Sequence, residues 1–244
     1  MEMKKISLQR MQWVFSKYMT ENWKKDIRDF LILFFLCMIF SGNSIRTGLP
    51  YFFLYLMVLV NSANVFSVFG NRNKGTDYLM IPASTFEKLT VNLFIIHIFK
   101  TIGYFIMLVL GVKIGSWIYS MFVFTQITPA HFSEIVSVVT ISTVLALISF
   151  QAAFIFGSLY FKKAAFLKSL LVSFIALTGM GLITALLIVN FLNINDPYYT
   201  AGFKLNIEPE MLNTGALILS AVTSLIPVVY FWVMSYLRLR EMEA

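Results

Sequence analysis

The sequence predicts an all-α, polytopic membrane protein with six transmembrane helices, an N-terminal amphipathic interfacial helix and one short cytoplasmic helix. Three observations carry that expectation. Of 244 residues, 59% are hydrophobic and only 13% charged, with a mean hydropathy of +0.79, whereas a soluble domain is about 25% charged. Apolar stretches of about 20 residues recur along the chain, the length a bilayer core demands. These stretches are continuously apolar rather than alternating. That favours helices over a barrel, because a helix closes its backbone hydrogen bonds within itself.

The first apolar run begins only at Phe30, too late for a cleavable secretory signal. Before it, over 1–29, Leu8, Met11, Val14, Phe15, Tyr18, Met19 and Trp23 share one arc at helical spacing, with Arg10, Lys17, Glu21 and Lys24 opposite. This is an amphipathic helix. Its basic face suits the cytoplasmic headgroup layer, where anionic lipid attracts Lys and Arg. The alternative is a surface helix packed on a soluble partner.

The spans read as 27–45, 50–69, 89–110, 135–160, 164–190 and 214–237. The uninterrupted run of the first, Phe30 to Phe40, is short for a crossing. Charge placement arbitrates. Six spans put fifteen Lys and Arg residues on one side and leave only Arg46, Lys113 and Lys204 on the other; dropping the first span divides them ten against eight. The positive-inside rule prefers six, with both termini cytoplasmic. The net charge of +7 is then a consequence of topology and implies no nucleic-acid partner. No repeat or Pro/Gly/Ser-rich linker divides the chain, so 1–244 reads as one domain: the amphipathic helix, a membrane domain over 30–238, and an outer loop over 193–213.

Much chemistry is missing. The chain has no G-x-x-x-x-G-K-[ST] phosphate loop, no H-E-x-x-H zinc helix, no G-x-S-x-G turn and no paired carboxylates inside the spans. Two histidines, His97 and His131, and one cysteine, Cys37, give no metal cluster and no intramolecular disulfide. No catalytic, metal-binding or cofactor-binding residue is expected.

The stretch after the second span is the most informative. A polar turn containing Gly70 and Gly75 leads into a short amphipathic piece from Thr76 to Ile81; Pro82 breaks the chain, and Ser84 with Glu87 forms an S-x-x-E capping box that starts the next helix. A short helix across the cytoplasmic ends of the spans suits a lever for an external motor. The alternative is an ordinary capped connection.

The run Arg72-x-x-Gly75-Thr76-x-x-Leu79-Met80-x-Pro82-x-Ser84-x-x-Glu87-Lys88 resembles the loop between the second and third helices of ATP-binding-cassette type-2 permeases, the membrane subunits of a class of exporters. Pro82-Ala83-Ser84 followed by Glu87-Lys88 is especially like permeases from the Bacteroidetes. The chain departs from the pattern at Asn71, where the family often has an acidic residue. The resemblance implies a half-transporter in a bacterial inner membrane that pairs with a second permease, as a homo- or heterodimer. It also implies separate ATPase subunits, which hold the ATP and magnesium. The coupling helix then maps onto 73–81, with Asp77, Tyr78, Leu79 and Met80 meeting the ATPase.

His97 and Lys100 in the third span, and Gln151 in the fourth, are the candidates for a substrate path. Lys100 lies roughly 14 Å into its helix if that helix starts at the interface. Charge at such depth marks function by default, the alternative being a lysine that snorkels to the headgroups. His97, three residues earlier, is expected on the same face. Gly111 and Gly115 signal a close helix contact, and Pro227 a kink in the last span. The reading that follows is export of a hydrophobic or amphipathic compound powered in trans by ATP. The alternatives are a non-transporting membrane scaffold or sensor, and an intramembrane enzyme.

Overall fold

A computed structural model describes residues 7–41, 48–70, 72–122, 132–137, 139–161, 163–192 and 209–243. Among them the fold is all-helical, with no strand. The helices are α1 (Leu8–Ile39), α2 (Leu49–Asn64), α3 (Arg72–Leu79), α4 (Thr85–Phe94), α5 (Thr101–Phe122), α6 (Phe132–Ser137), α7 (Ile141–Tyr160), α8 (Ala165–Leu192) and α9 (Pro209–Glu243). A 3₁₀ turn, Ser67–Gly70, precedes α3, and a π-helical turn, Ile95–Lys100, joins α4 to α5 without a break.

The amphipathic segment and the first apolar segment form one helix rather than two. No Gly or Pro interrupts Leu8–Ile39, and nothing else in that run stops propagation. Its buried stripe reads Val14, Asp26, Asp29, Leu33 and Cys37, so two carboxylates continue the apolar arc inward. The Ser84–Glu87 capping box forms as the sequence predicts: Glu87 N–H donates to Ser84 Oγ at 3.3 Å, and Ser84 N–H to Glu87 Oε2 at 2.8 Å. A second box, Thr140 with Thr143, starts α7. The expected span over 135–160 is therefore split, since its first residues belong to α6 and the long helix begins only at Ile141.

Among the described residues two helices are long and apolar enough to cross a membrane, Thr85–Phe122 and Thr143–Tyr160; Leu49–Asn64 and Ala165–Ala176 are apolar but shorter. The outer loop expected over 193–213 lies mostly outside the described residues.

The core runs between α1, α2, α5 and α7. Leu33, Cys37, Leu54, Val58, Tyr104, Leu108 and Leu147 pack together, with Ile135 of α6. A second cluster joins Phe66, Leu89, Ile96, Ile155, Leu159 and Leu239, so the C-terminal end of α9 closes onto α4 and α7. Gly111 and Gly115 make the close contact their spacing suggests. A Cβ on Gly111 would lie 2.7 Å from the Phe34 carbonyl oxygen, and one on Gly115 would collide with Ser41 and the backbone of Met38. The α1 and α5 backbones thus approach as only small residues permit.

Candidate functional site

The eight residues of α3 are few for an autonomous helix. Its stability comes from what holds it. The ring of Tyr78 turns inward, edge-on to Phe66 and Phe69 with centroids 6.4 and 5.5 Å away. Its hydroxyl accepts from Asn92 Nδ2 at 2.6 Å. Burial pushes the Tyr78 hydroxyl above the ordinary phenol range; the nearby Glu243 charge adds to this and the Asn92 bond opposes it.

The far end of α3 is held by Lys88 of α4. Its side chain is only 2% exposed; Nζ donates to the Leu79 carbonyl at 2.9 Å and pairs with Glu243 Oε1 of α9 at 2.8 Å. The cation sits on a C-terminal carbonyl of α3, where the helix dipole favours positive charge. Thr85 Oγ1 donates to the other oxygen of Glu243. The residue preceding Lys88, Glu87, fully buried, accepts from Arg10 Nη2 at 2.9 Å and from the Ser7 N–H at 2.8 Å. One carboxylate therefore sits at the N-termini of both α1 and α4, the favourable end of each dipole. Lys17 of α1 completes the set by donating to the Asp77 carbonyl at 3.3 Å.

These contacts sort the predicted coupling residues. Asp77 is exposed and Met80 is 80% exposed, Leu79 is half-buried, and Tyr78 points into the bundle as an anchor. Tyr78, one of the residues that the resemblance places against the ATPase, turns its ring toward the bundle. The apolar wall of Phe66 and Phe69 draws the ring inward, and the outer face of α3 is left to its polar residues and Met80. The helix spans Arg72–Leu79 rather than 73–81, although Met80 N–H still reaches the Thr76 carbonyl at 2.9 Å.

The substrate-path candidates do not form one face. Lys100 turns toward α1 and α2. Its Nζ lies 2.9 Å from Asp26 Oδ1 and 2.9 Å from Asn61 Oδ1, with both ionic side chains under a tenth exposed. Tyr18 donates to Asp26 at 3.0 Å, and Asn61 Nδ2 donates to Tyr104. Lys100 is therefore held in a buried ion pair rather than left as an isolated charge. His97 turns the other way: Nδ1 is 2.6 Å from Gln151 Oε1, and its ring lies 5.5 Å from that of Trp232. Gln151 Nε2 donates to Thr101 Oγ1 at 3.0 Å, and Thr101 donates to the Ile96 carbonyl at 2.9 Å. This order of donors requires the proton of neutral His97 on Nδ1. The π turn explains the separation, because its i→i+5 register breaks the stacking of residues three apart that an α-helix would give. His97 borders an apolar cavity of about 230 Å³ walled by α2, α5 and α7, with Leu54, Phe105 and Leu147 among its lining.

Asp26, Arg10 and Glu243 are the partners that the sequence reading missed. A signal existed for Asp26: carrying the apolar arc of Leu8 to Trp23 forward along one unbroken helix puts 26 and 29 on the inner stripe. Nothing local marks Glu243, which lies 155 positions from Lys88. Among the described residues no group of three or more His, Cys, Asp or Glu could hold a metal.

No protein-family model matches this chain, and no curated protein or solved structure matches it.

Proposed function

We propose that this chain is the membrane-spanning permease subunit of an ATP-driven exporter, with α3 as the element that receives the stroke of a separate ATPase. The observation that carries the reading is the anchoring of α3. A lever must present an exposed face to its motor and be tied rigidly to what it moves. The α3 helix exposes Asp77 and Met80, and Tyr78, Lys88 and Lys17 bind it to α4, α9 and α1. Six spans, both termini on the cytoplasmic side of a bacterial inner membrane, and pairing with a second permease complete the proposal. The bias of Lys and Arg to one side supports that topology. So do the many large apolar side chains left exposed, such as Phe35, Ile102, Phe174 and Val229, far more than a soluble surface carries.

ATP binding would close the ATPase dimer and displace α3 as a rigid body, biasing the bundle between inward- and outward-open states. The exported compound is hydrophobic or amphipathic, in keeping with the apolar cavity beside His97. Co-purification with a separate ATPase subunit tests the proposal. Asp77→Lys with Met80→Glu should abolish the complex and its vanadate-sensitive ATP hydrolysis. An intact complex with full turnover would sink it.

A further inference from the structure

Beneath α3 lies a second cavity, of about 70 Å³, walled by α1, α2, the 3₁₀ turn and Tyr78. A single water needs roughly 10–15 Å³, so the space accommodates several waters or one phosphate-sized group. Its lining is rich in donors. Lys17, Lys25 and Lys100 reach it, against one carboxylate, Glu21, which lies 3.9 Å from Lys17. Lys100 is already engaged by Asp26 and Asn61. Lys25, Asn64 and Ser67 also line it, and among the described residues none of the three makes a side-chain hydrogen bond or ion pair.

We propose that this cavity is a binding site for a phosphate group of net negative charge, held by Lys25, Asn64 and Ser67 with Lys17 at the mouth. Lysine is a point-charge partner for phosphate, and an amide and a hydroxyl supply directional donors. The occupant seats between α1 and the inner face of α3, so it braces the short helix against the bundle. Two sources offer this chemistry: the headgroup of an anionic phospholipid, reached from the layer where α1 exposes Trp13 and Trp23, or a soluble phosphate compound. The inference does not rest on the exporter reading, because binding is measured on the isolated chain.

The test uses the full chain in a neutral detergent, with melting temperature followed against dioctanoyl phosphatidylglycerol, dioctanoyl phosphatidylcholine and inorganic phosphate. Phosphatidylglycerol should raise the melting temperature saturably, and phosphatidylcholine should not. Lys25→Gln and Asn64→Leu should each weaken binding about tenfold. Lys25→Arg should retain it, and Lys24→Gln, on the exposed side of α1, should leave it unchanged. Inorganic phosphate acting alone, with the same dependence on Lys25 and Asn64, upholds the site and assigns it to a soluble compound. Equal effects of the two lipids, or of Lys24→Gln and Lys25→Gln, overturn the proposal. If Lys25→Gln fails to fold, Asn64→Leu decides in the same titration.

Discussion

Lys88 and Glu243, 155 positions apart in the chain, meet at 2.8 Å, and the same ammonium caps α3 at the Leu79 carbonyl. One buried cation therefore joins three helices at one end of the bundle. Coulombic attraction here offsets a substantial desolvation cost, and removal of either partner strands the other. This cost structure makes the joint stiff: α3 cannot shift without carrying α4 and the end of α9 with it.

The first prediction is energetic. Lys88→Met should destabilise the protein by about 3 kcal/mol, since it leaves both Glu243 and the Leu79 carbonyl unsatisfied. Glu243→Gln should cost less, because Glu243 retains about a fifth of its exposure and an amide still accepts. Denaturation in mixed micelles measures both. Equal losses would show that Glu243, rather than Lys88, is the hub.

The pair Asp26–Lys100 yields the second. Asp26→Asn and Lys100→Met should each be costly, yet the double variant should recover part of the loss, with a coupling of roughly 1–3 kcal/mol. Additive losses in a double-mutant cycle would mean that the 2.9 Å contact contributes nothing as a pair.

Residues close in sequence made some features legible and distance hid others. The capping box of Ser84 and Glu87 follows from a four-residue pattern, and the close approach at Gly111 and Gly115 from a five-residue one. Helix class followed from composition. The continuity of α1 was missed because a change from amphipathic to apolar looks like a boundary, although a helix ends only where a breaker or a cap ends it. Lys100 was recognised as unusual, but its partner Asp26 lies on another helix. The π turn that parts Lys100 from His97 has no sequence signature in Ile95 to Lys100. The inward turn of Tyr78 depends on Phe66 and Phe69, which the sequence alone placed in a different segment.

The third prediction concerns alkaline pH. Burial raises the hydroxyls of Tyr18 and Tyr78 above the usual phenol value, and in Tyr18 the carboxylate of Asp26 adds to the effect. An unfolded chain releases these protons near pH 10, whereas the folded chain holds them. The folded state thus binds more protons, and stability must fall as pH rises through that value, with no pH dependence from these groups below it. Phenolate absorbance for Tyr18 and Tyr78, isolated by difference against Tyr18→Phe and Tyr78→Phe, should appear only together with unfolding. Titration near pH 10 with helix content unchanged would contradict the burial.

Glycine substitutions give the fourth. Gly115→Leu forces a side chain into Ser41 and the Met38 backbone and should cost about 1–3 kcal/mol or more, because backbone cannot rotate away. Gly179→Ala meets nothing within 4 Å and should be neutral or slightly stabilising, since alanine favours the helix by roughly 1 kcal/mol. Thermal melts of the two variants side by side check the contrast.

The last prediction tests the topology that the exporter reading needs. Cys37 is the chain's only cysteine and is buried, so Cys37→Ser provides a background free of thiols. On that background Asp77→Cys is exposed on the outer face of α3, and Lys204→Cys falls in the segment expected on the opposite side. A membrane-impermeant maleimide should label Asp77→Cys in inverted vesicles but not in intact cells, and Lys204→Cys in cells but not in inverted vesicles. The reason is electrostatic: the fifteen Lys and Arg residues grouped with α3 by six crossings resist translocation. Labelling of Asp77→Cys from outside the cell would place α3 beyond the reach of any cytoplasmic ATPase. Labelling of both positions from one side would show that the number of crossings between them is even, whereas six spans require three.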